Sequence, residues 1–261
     1  MTDVVLYEVA DRVATVTLNR PEARNALSRQ LQREIRESVS RAGDDDEVDV
    51  VILTGADPAF CAGVDLKELG SGGNDMRAAV SGDRSQPGPL PRIAKPIIGA
   101  INGVAITGGF ELALNCDFLV ASDRARFADT HSRVGIMPGW GLTVLLAEAV
   151  GVRRARELSA TGNFLDAETA LAWGLVNHVV PHDELLATCR QLAADIVSNE
   201  SAGVRQIIRT YDEGSESTAG EAWRIEARNA AEWIKQGGAR SDEVERRRAA
   251  VIERGRASSR Q

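Results

Sequence analysis

The chain is poor in the residues that staple, anchor or export a protein. Its three cysteines, Cys61, Cys116 and Cys189, are scattered over 261 residues and form neither a CxxC pair nor an even set. A disulfide framework or a cysteine zinc site is therefore not expected. The three histidines, His131, His178 and His182, are also too dispersed to make a metal-ligand cluster. No apolar run reaches the roughly 18 residues needed to span a bilayer. The start "MTDVVLYEVADRVATVTLNRP" has no basic segment leading into an apolar one, so a cytoplasmic protein without export or anchoring is expected. Positive charge is short as well. A formal net charge of −7 argues against a general nucleic-acid or membrane surface and leaves room only for a local basic patch around an anionic ligand. No serine has a G-x-S-x-G setting, no P-loop or GxGxxG follows a strand pattern, and no fixed-period repeat is visible.

What remains is an ordinary globular composition, 43% hydrophobic and 26% charged, on a chain long enough for a sizeable core. Residues 3–19 read as two β-branched runs about a polar "ADR" turn, hence a hairpin. Leu27, Leu31, Ile35 and Val39 recur at helical spacing, which predicts an amphipathic helix opened by Pro21 and closed near Gly43. "VVILTG" and "KPIIGAING" are apolar runs suited to buried strands, and "FELALNCDFLVASD" passes from a short helix into another. Strands alternating with helices favour a parallel α/β layer over the first two-thirds. Residues 70–91, rich in Gly, Ser and Pro, read as a loop or partly helical lid. Beyond Pro138, "GLTVLLAEAVG", "RARELSATG", "DAETALAWG" and "DELLATCRQLAADIVS" predict helices, and the chain stays helical in composition from Ser201 onward.

One acid stands out. Glu111 lies in the largely apolar "NGVAITGGFELALNCDFL", where a buried, unpaired carboxylate costs several kcal/mol or shifts its pKa. It follows the turn Thr107-Gly108-Gly109, and a second small-residue turn occurs in "GADPAFCAGVDLKEL", which enters a predicted helix at Asp65. Two such turns can each aim an N–H at one oxygen, the arrangement that stabilises an oxyanion. A carboxylate beside them can take a proton from water or from carbon α to a carbonyl. Read as structure alone, Glu111 is a helix-terminus acid paired with a buried Arg, and the two glycine stretches are ordinary strand-to-helix turns. His131, in "RFADTHSRVGIMPGWG", is either a proton donor near neutral pH or a surface or hydrogen-bonded loop histidine. Asp129 either orients His131 or caps a turn. His178 and His182 read as loop residues.

These residues resemble the enoyl-CoA hydratase/isomerase (crotonase) superfamily from about residue 10 to residue 190. The resemblance is carried in order by "LNRPEARNALS", "FCAGVDLKEL", "AINGVAITGGFELALNCDFLVAS", "GIMPGWG" and "ATGNFLDAETALAWGLVNHVVP". It implies an α/β fold, a crotonase (ClpP-like) spiral of repeated β-β-α units with a helical C-terminal region. Residues 1–195 would form the core with its acyl-CoA site, and residues 196–261 a helical region that assembles a homotrimer or a dimer of trimers. The implied partner is an acyl-CoA thioester whose carbonyl oxygen accepts from the N–H groups of Val64 and Gly108. Arg24, Ala26, Ala62, Asp65 and Leu66 match the stretches that line the CoA pocket. No cofactor is implied, because coenzyme A is part of the substrate. Glu111 matches the first of two catalytic glutamates of the hydratases, and His131 stands at the place of the second.

Three departures accompany the match. Thr107 replaces a usual Gly or Ala, Trp140 either narrows the acyl pocket or packs in the core, and the usual Lys-Arg-x-Pro-x-Phe close is missing. The expected activity is hydration of a short- or medium-chain trans-2-enoyl-CoA in fatty-acid degradation, with Glu111 as general base. The alternative is an enoyl-CoA isomerase, or an acyl-CoA decarboxylase or hydrolase, working with one carboxylate. A non-catalytic acyl-CoA-binding or assembly protein would instead bind thioesters and turn none over.

Overall fold

The computed structural model describes residues 3–65 and 88–237. Leu66, the predicted helix beyond Asp65, most of the 70–91 loop and the charged C-terminal end lie outside the described residues. The chain divides into two compact units, Met1–Asn199 and Glu200–Gln261.

The first unit opens with the predicted hairpin. Strands β1 (Val5–Ala10) and β2 (Val13–Leu18) pair antiparallel with Ala10 opposite Val13. That register leaves a two-residue loop, Asp11-Arg12, in which both residues have positive φ (51° and 64°). Paired positive φ marks the turn type whose twist matches the flanking strands. Arg12 is held there by Asp49 Oδ2 at 2.5 Å and the Asp46 carbonyl at 2.8 Å.

The predicted amphipathic helix exists but begins later than Pro21. Pro21–Ala23 form only a 3₁₀ turn, and Arg24 and Asn25 then take positive φ (50° and 56°), which no right-handed helix continues through. Helix α1 (Arg29–Asp44) starts after Ser28, whose side chain accepts from Leu31 N at 3.1 Å. Leu31, Ile35, Val39 and Ala42 form its buried stripe, each large side chain contributing about 2 kcal/mol of burial. Leu27 belongs instead to a short bridge with Val64.

The core of the unit is a spiral of strand–strand–helix turns. The first strand of each turn joins a six-stranded sheet and the second a four-stranded one. The larger sheet runs β1-β2-β3-β5-β7-β10, with β3 (Val50–Gly55), β5 (Ile97–Ile101), β7 (Phe118–Ser122) and β10 (His178–Val180). From β2 onward its pairings are parallel. The smaller sheet runs β4-β6-β8-β9, with β4 (Ala59–Cys61), β6 (Val104–Ile106), β8 (Arg126–Ala128) and an antiparallel β9 (Phe164–Asp166). Buried on both faces, β3 and β5 carry unbroken apolar runs, as parallel strands under helices require.

Helix α2 (Gly108–Leu114) follows β6, and α3 (His131–Val134) follows β8. The four later predictions become α4 (Leu142–Val150), α5 (Val152–Thr161), α6 (Ala167–Trp173) and α7 (Leu185–Val197). Helix α6 is capped by Asp166, which accepts from Thr169 N at 2.8 Å. Cys61 on β4 and Cys189 on α7 are buried, and burial pushes both thiols up to about 12.

The second unit contains α8 (Ser201–Ser215) and α9 (Ala219–Lys235). Buried Asn229 of α9 donates to Thr210 Oγ1 at 3.1 Å and Glu213 Oε2 at 3.2 Å on α8, and Arg228 adds a 2.9 Å bond to Glu213. Ile207, Tyr211, Trp223 and Ile234 are exposed. Among the described residues, no helix is long and apolar enough to cross a membrane.

Candidate active site

The site is assembled where the smaller sheet sends its strands into turns. After β4 the chain passes through Ala62 and Gly63, the latter at φ +91°, a conformation that favours glycine. This turn zips onto the 24–27 stretch. Ala62 N donates to the Arg24 carbonyl at 3.0 Å, Leu27 N to the Gly63 carbonyl at 2.8 Å, and Asp65 N to the Leu27 carbonyl at 3.2 Å. Because both ladder bonds go to Leu27 from Gly63 and Asp65, the N–H of Val64 points away from that pairing. Arg20 clamps the same two segments, reaching the Ala26 carbonyl at 2.5 Å and Asp65 Oδ2 at 3.0 Å. Arg24 itself is exposed.

The second turn, after β6, lies directly against the first. Thr107 precedes α2 with φ 54° and ψ −116°, a costly conformation for a β-branched residue. It is held by Thr107 N to the Ala128 carbonyl (2.9 Å) and by a 2.6 Å hydroxyl contact with Thr130. Gly109 packs against the Cys61 carbonyl so closely that a Cβ there would overlap it. A Cβ on Gly108 would stand 3.5 Å from Val64 Cγ2 and 3.3 Å from both Leu27 Cδ1 and Trp140 Cζ3. Val64 and Gly108 are thus neighbours, and Gly108, at the start of a helix, has an N–H without an intrahelical acceptor.

Glu111, one helical turn on, is buried (3% exposed). No arginine is among the described partners of its carboxylate, so the pairing with a buried Arg expected of a purely structural acid is not what is found. Oε1 instead accepts from the main-chain N–H groups of Gly139 (3.1 Å) and Trp140 (2.7 Å), while Oε2 lies 3.4 Å from His131 Nε2. Asn115, one turn further along α2, ties this arrangement together by donating to the carbonyls of Glu111 (2.8 Å) and Trp140 (3.0 Å).

His131 is buried as well (4% exposed), which rules out the surface-loop reading. Its other ring nitrogen, Nδ1, lies 2.6 Å from Asp129 Oδ1, and the same oxygen accepts from the main-chain N–H of His131 at 3.1 Å. Burial alone would lower the imidazole pKa. Hydrogen bonds to Asp129 and Glu111 and the attraction of both carboxylates outweigh it and raise the pKa to about 9. Asp129 is held below its ordinary value: burial opposes ionisation, and hydrogen bonds from His131 and Ser159 overcome it.

The structure therefore brings Ala26, Ala62, Val64, Asp65, Gly108, Glu111 and His131 into one region, with Arg24 on its exposed side. Leu66 lies outside the described residues. Sequence reasoning missed Arg20 and Asn115. Asn115 had a signal in its spacing, four residues after Glu111 on a helix. Arg20 had none, because its carboxylate partner is 45 residues away.

Comparison with known proteins identifies the family and the fold. Residues 8–252 match the family model described as enoyl-CoA hydratase/isomerase. A probable peroxisomal enoyl-CoA hydratase 1 of Arabidopsis thaliana is 42% identical over 84% of this chain and 82% of that protein. The crystal structure of an enoyl-CoA hydratase from Mycobacterium smegmatis is 48% identical, covering 90% of this chain and 100% of that one with a TM-score of 0.75. One from Bacillus anthracis, 33% identical, covers 96% and 97% with a TM-score of 0.87. The paired strand–strand–helix turns, the two adjoining glycine turns and the matched sequence together show that this chain belongs to the enoyl-CoA hydratase/isomerase family.

Proposed function

We propose that the protein is an enoyl-CoA hydratase that adds water across the double bond of a short- or medium-chain trans-2-enoyl-CoA. One observation carries the reading: Glu111 and His131 meet at 3.4 Å beside the adjoining Val64 and Gly108 turns. In this reading the thioester oxygen accepts from the N–H groups of Val64 and Gly108. Each such donor is worth about 3 kcal/mol once negative charge develops on the oxygen.

Glu111 takes a proton from water as its oxygen bonds to C3. The electron pair of the double bond moves onto the thioester as an enolate, and His131 then gives a proton to C2. Glu111 has gained a proton and His131 has lost one, and transfer across their contact restores both. The exposed Arg24 and the Ala26, Ala62 and Asp65 backbone would line the CoA entrance, with Leu66 following. Beyond the protein, the CoA thioester and water, no group enters this scheme. Exposed Ile207, Tyr211, Trp223 and Ile234 on α8 and α9 support assembly of three copies, or two such trimers, through residues 196–261. Three unpaired cysteines suit a reducing cytoplasm.

A second reading, an isomerase using Glu111 alone, is favoured by the same direct Glu111–His131 contact, since a water shared by both must sit to one side of it. Turnover of crotonyl-CoA, followed by loss of enoyl absorbance and by product mass, separates the two. A product heavier by one water, with Glu111→Gln slower by about a hundredfold or more, supports hydration. Unchanged product mass with a moved double bond overturns it in favour of the isomerase, and hydration at full rate in the Gln variant removes Glu111 as the base.

A further inference from the structure

Both ring nitrogens of His131 face carboxylate oxygens, Nδ1 towards Asp129 and Nε2 towards Glu111. A neutral imidazole has one N–H and one lone pair. It would therefore set a lone pair against one of these oxygens, whereas the doubly protonated ring donates to both. Asp129 is 2% exposed, and its Oδ1 takes the ring N–H and the main-chain N–H of the same residue. Two bonds from one oxygen to one residue fix the ring's position along the chain and its rotation. Ser159, from α5 packed against α3, also bonds Asp129.

We infer that Asp129 is a positioning residue, which holds His131 so that Nε2 alone can release a proton into the site. This rests on the hydratase reading. Before the chemistry the buried trio is Asp129 anion, His131 cation and Glu111 anion, one net negative charge. After His131 has protonated C2 and Glu111 has taken the water proton, it is Asp129 anion, neutral His131 and neutral Glu111, again one net negative charge. Throughout, Nδ1–H stays on Asp129, and the Nε2 lone pair then faces the Glu111 hydroxyl, ready to take its proton back. The step that moves two protons thus leaves the charge of the buried trio unchanged. In a low-dielectric site this avoids the cost of creating a lone buried charge.

The charged groups facing His131 can be named element by element. Glu111 comes from α2, and Asp129 from the link between β8 and α3. Arg133 on α3 is turned away to the carbonyls of Thr161 and Gly162. On α5, Arg153, Arg154, Arg156 and Glu157 are exposed, and it is the Ser159 hydroxyl that reaches Asp129.

The experiment compares Asp129→Asn with wild type, because Asn keeps an acceptor oxygen of the same size and removes only the charge. The expected result is kcat for crotonyl-CoA lower by about tenfold or more, with KM within about threefold. The alkaline limb of the kcat profile should move to lower pH by about one unit or more. In the ligand-free protein, ¹⁵N NMR of the ring should show His131 mostly doubly protonated at pH 8 in wild type and no more than half so in the variant. Unchanged kcat and pH profile, or a His131 titration that ignores the substitution, overturns the assignment. Should wild type hydrate nothing, the proposed function falls, and the NMR titration of the free protein still decides whether Asp129 sets the state of His131. If Asp129→Asn fails to fold, Ser159→Ala, which removes a donor that competes with His131 for the Asp129 carboxylate, is expected to shift the His131 titration the opposite way, to higher pH, and no shift there overturns the inference.

Discussion

Glu111 is held by the backbone of Trp140: the Trp140 N–H donates to Glu111 Oε1 at 2.7 Å, and the carbonyl of the same residue is fixed by Asn115 at 3.0 Å. The turn that aims two N–H groups at the carboxylate is therefore anchored by a side chain on the helix that carries the carboxylate. Asn115→Ala should free the turn without touching the site's charges. We expect kcat lower by about five- to thirtyfold and unfolding free energy lower by about 1–2 kcal/mol, read from steady-state kinetics and urea titration. Asn115→Asp should be worse than Ala, since it brings a carboxylate against two carbonyl oxygens.

The contact between α2 and β4 predicts a large effect from one methyl group. Gly109→Ala would drive its Cβ into the Cys61 carbonyl and to 2.7 Å from the Cys61 side chain, both on a backbone that cannot give. A loss of about 3 kcal/mol or more is expected, measured by denaturant unfolding. Gly220→Ala, on exposed α9 with nothing near its Cβ, should be neutral or slightly stabilising.

The clamp made by Arg20 predicts coupling across the site's entrance. Arg20→Met keeps the aliphatic stem and removes the 3.0 Å bond to Asp65 and the bond to the Ala26 carbonyl. The stretch carrying Arg24 and Ala26 should then loosen against the Ala62–Asp65 turn, raising KM for the CoA thioester several-fold with a smaller change in kcat. In a double-mutant cycle with Asp65→Asn, a coupling energy of about 1–3 kcal/mol is expected. A coupling near zero would mean the two side chains act independently.

Stability should also depend on alkaline pH through His131. Its folded pKa of about 9 lies above the ordinary value of 6.5, so the stabilisation from its two carboxylates is complete below about 6.5 and lost as pH rises through about 9. The melting temperature should fall across this window, by the equivalent of about 3 kcal/mol at most. His131→Gln should flatten the dependence there, and a dependence unchanged by that substitution would assign it to other groups.

Much of the site was readable because its chemistry is local in the chain. Residue type and spacing single out Glu111, Thr107-Gly108-Gly109 and the "FCAGVD" turn but leave a structural acid and ordinary turns as open readings, which only the family resemblance narrows, whereas the strands and late helices follow from apolar runs and capped amphipathic segments. What was not readable depends on backbone and on distant partners. The start of α1 was misplaced because Leu27 shares the helical spacing of Leu31 and Ile35, while its neighbours Arg24 and Asn25 sit at positive φ. Periodicity sees the first fact and is blind to the second. His131 could not be told from a surface histidine until β8 and α2 were folded together, since its burial and its Glu111 contact are products of the spiral.

The depth of Cys61 and Cys189 has a practical consequence for a protein that would handle activated thioesters. With both sulfurs buried and their ionisation pushed to about 12, the native protein offers them neither as acyl acceptors nor as targets for alkylating reagents. Each becomes reactive only when its surroundings open, Cys61 with the strand beneath the Gly63 and Gly108 turns and Cys189 with the helix covering the larger sheet. The rate of thiol labelling at each position therefore serves as a built-in gauge of how often each layer comes apart, and acyl-CoA binding near β4 should slow the labelling of Cys61 more than that of Cys189.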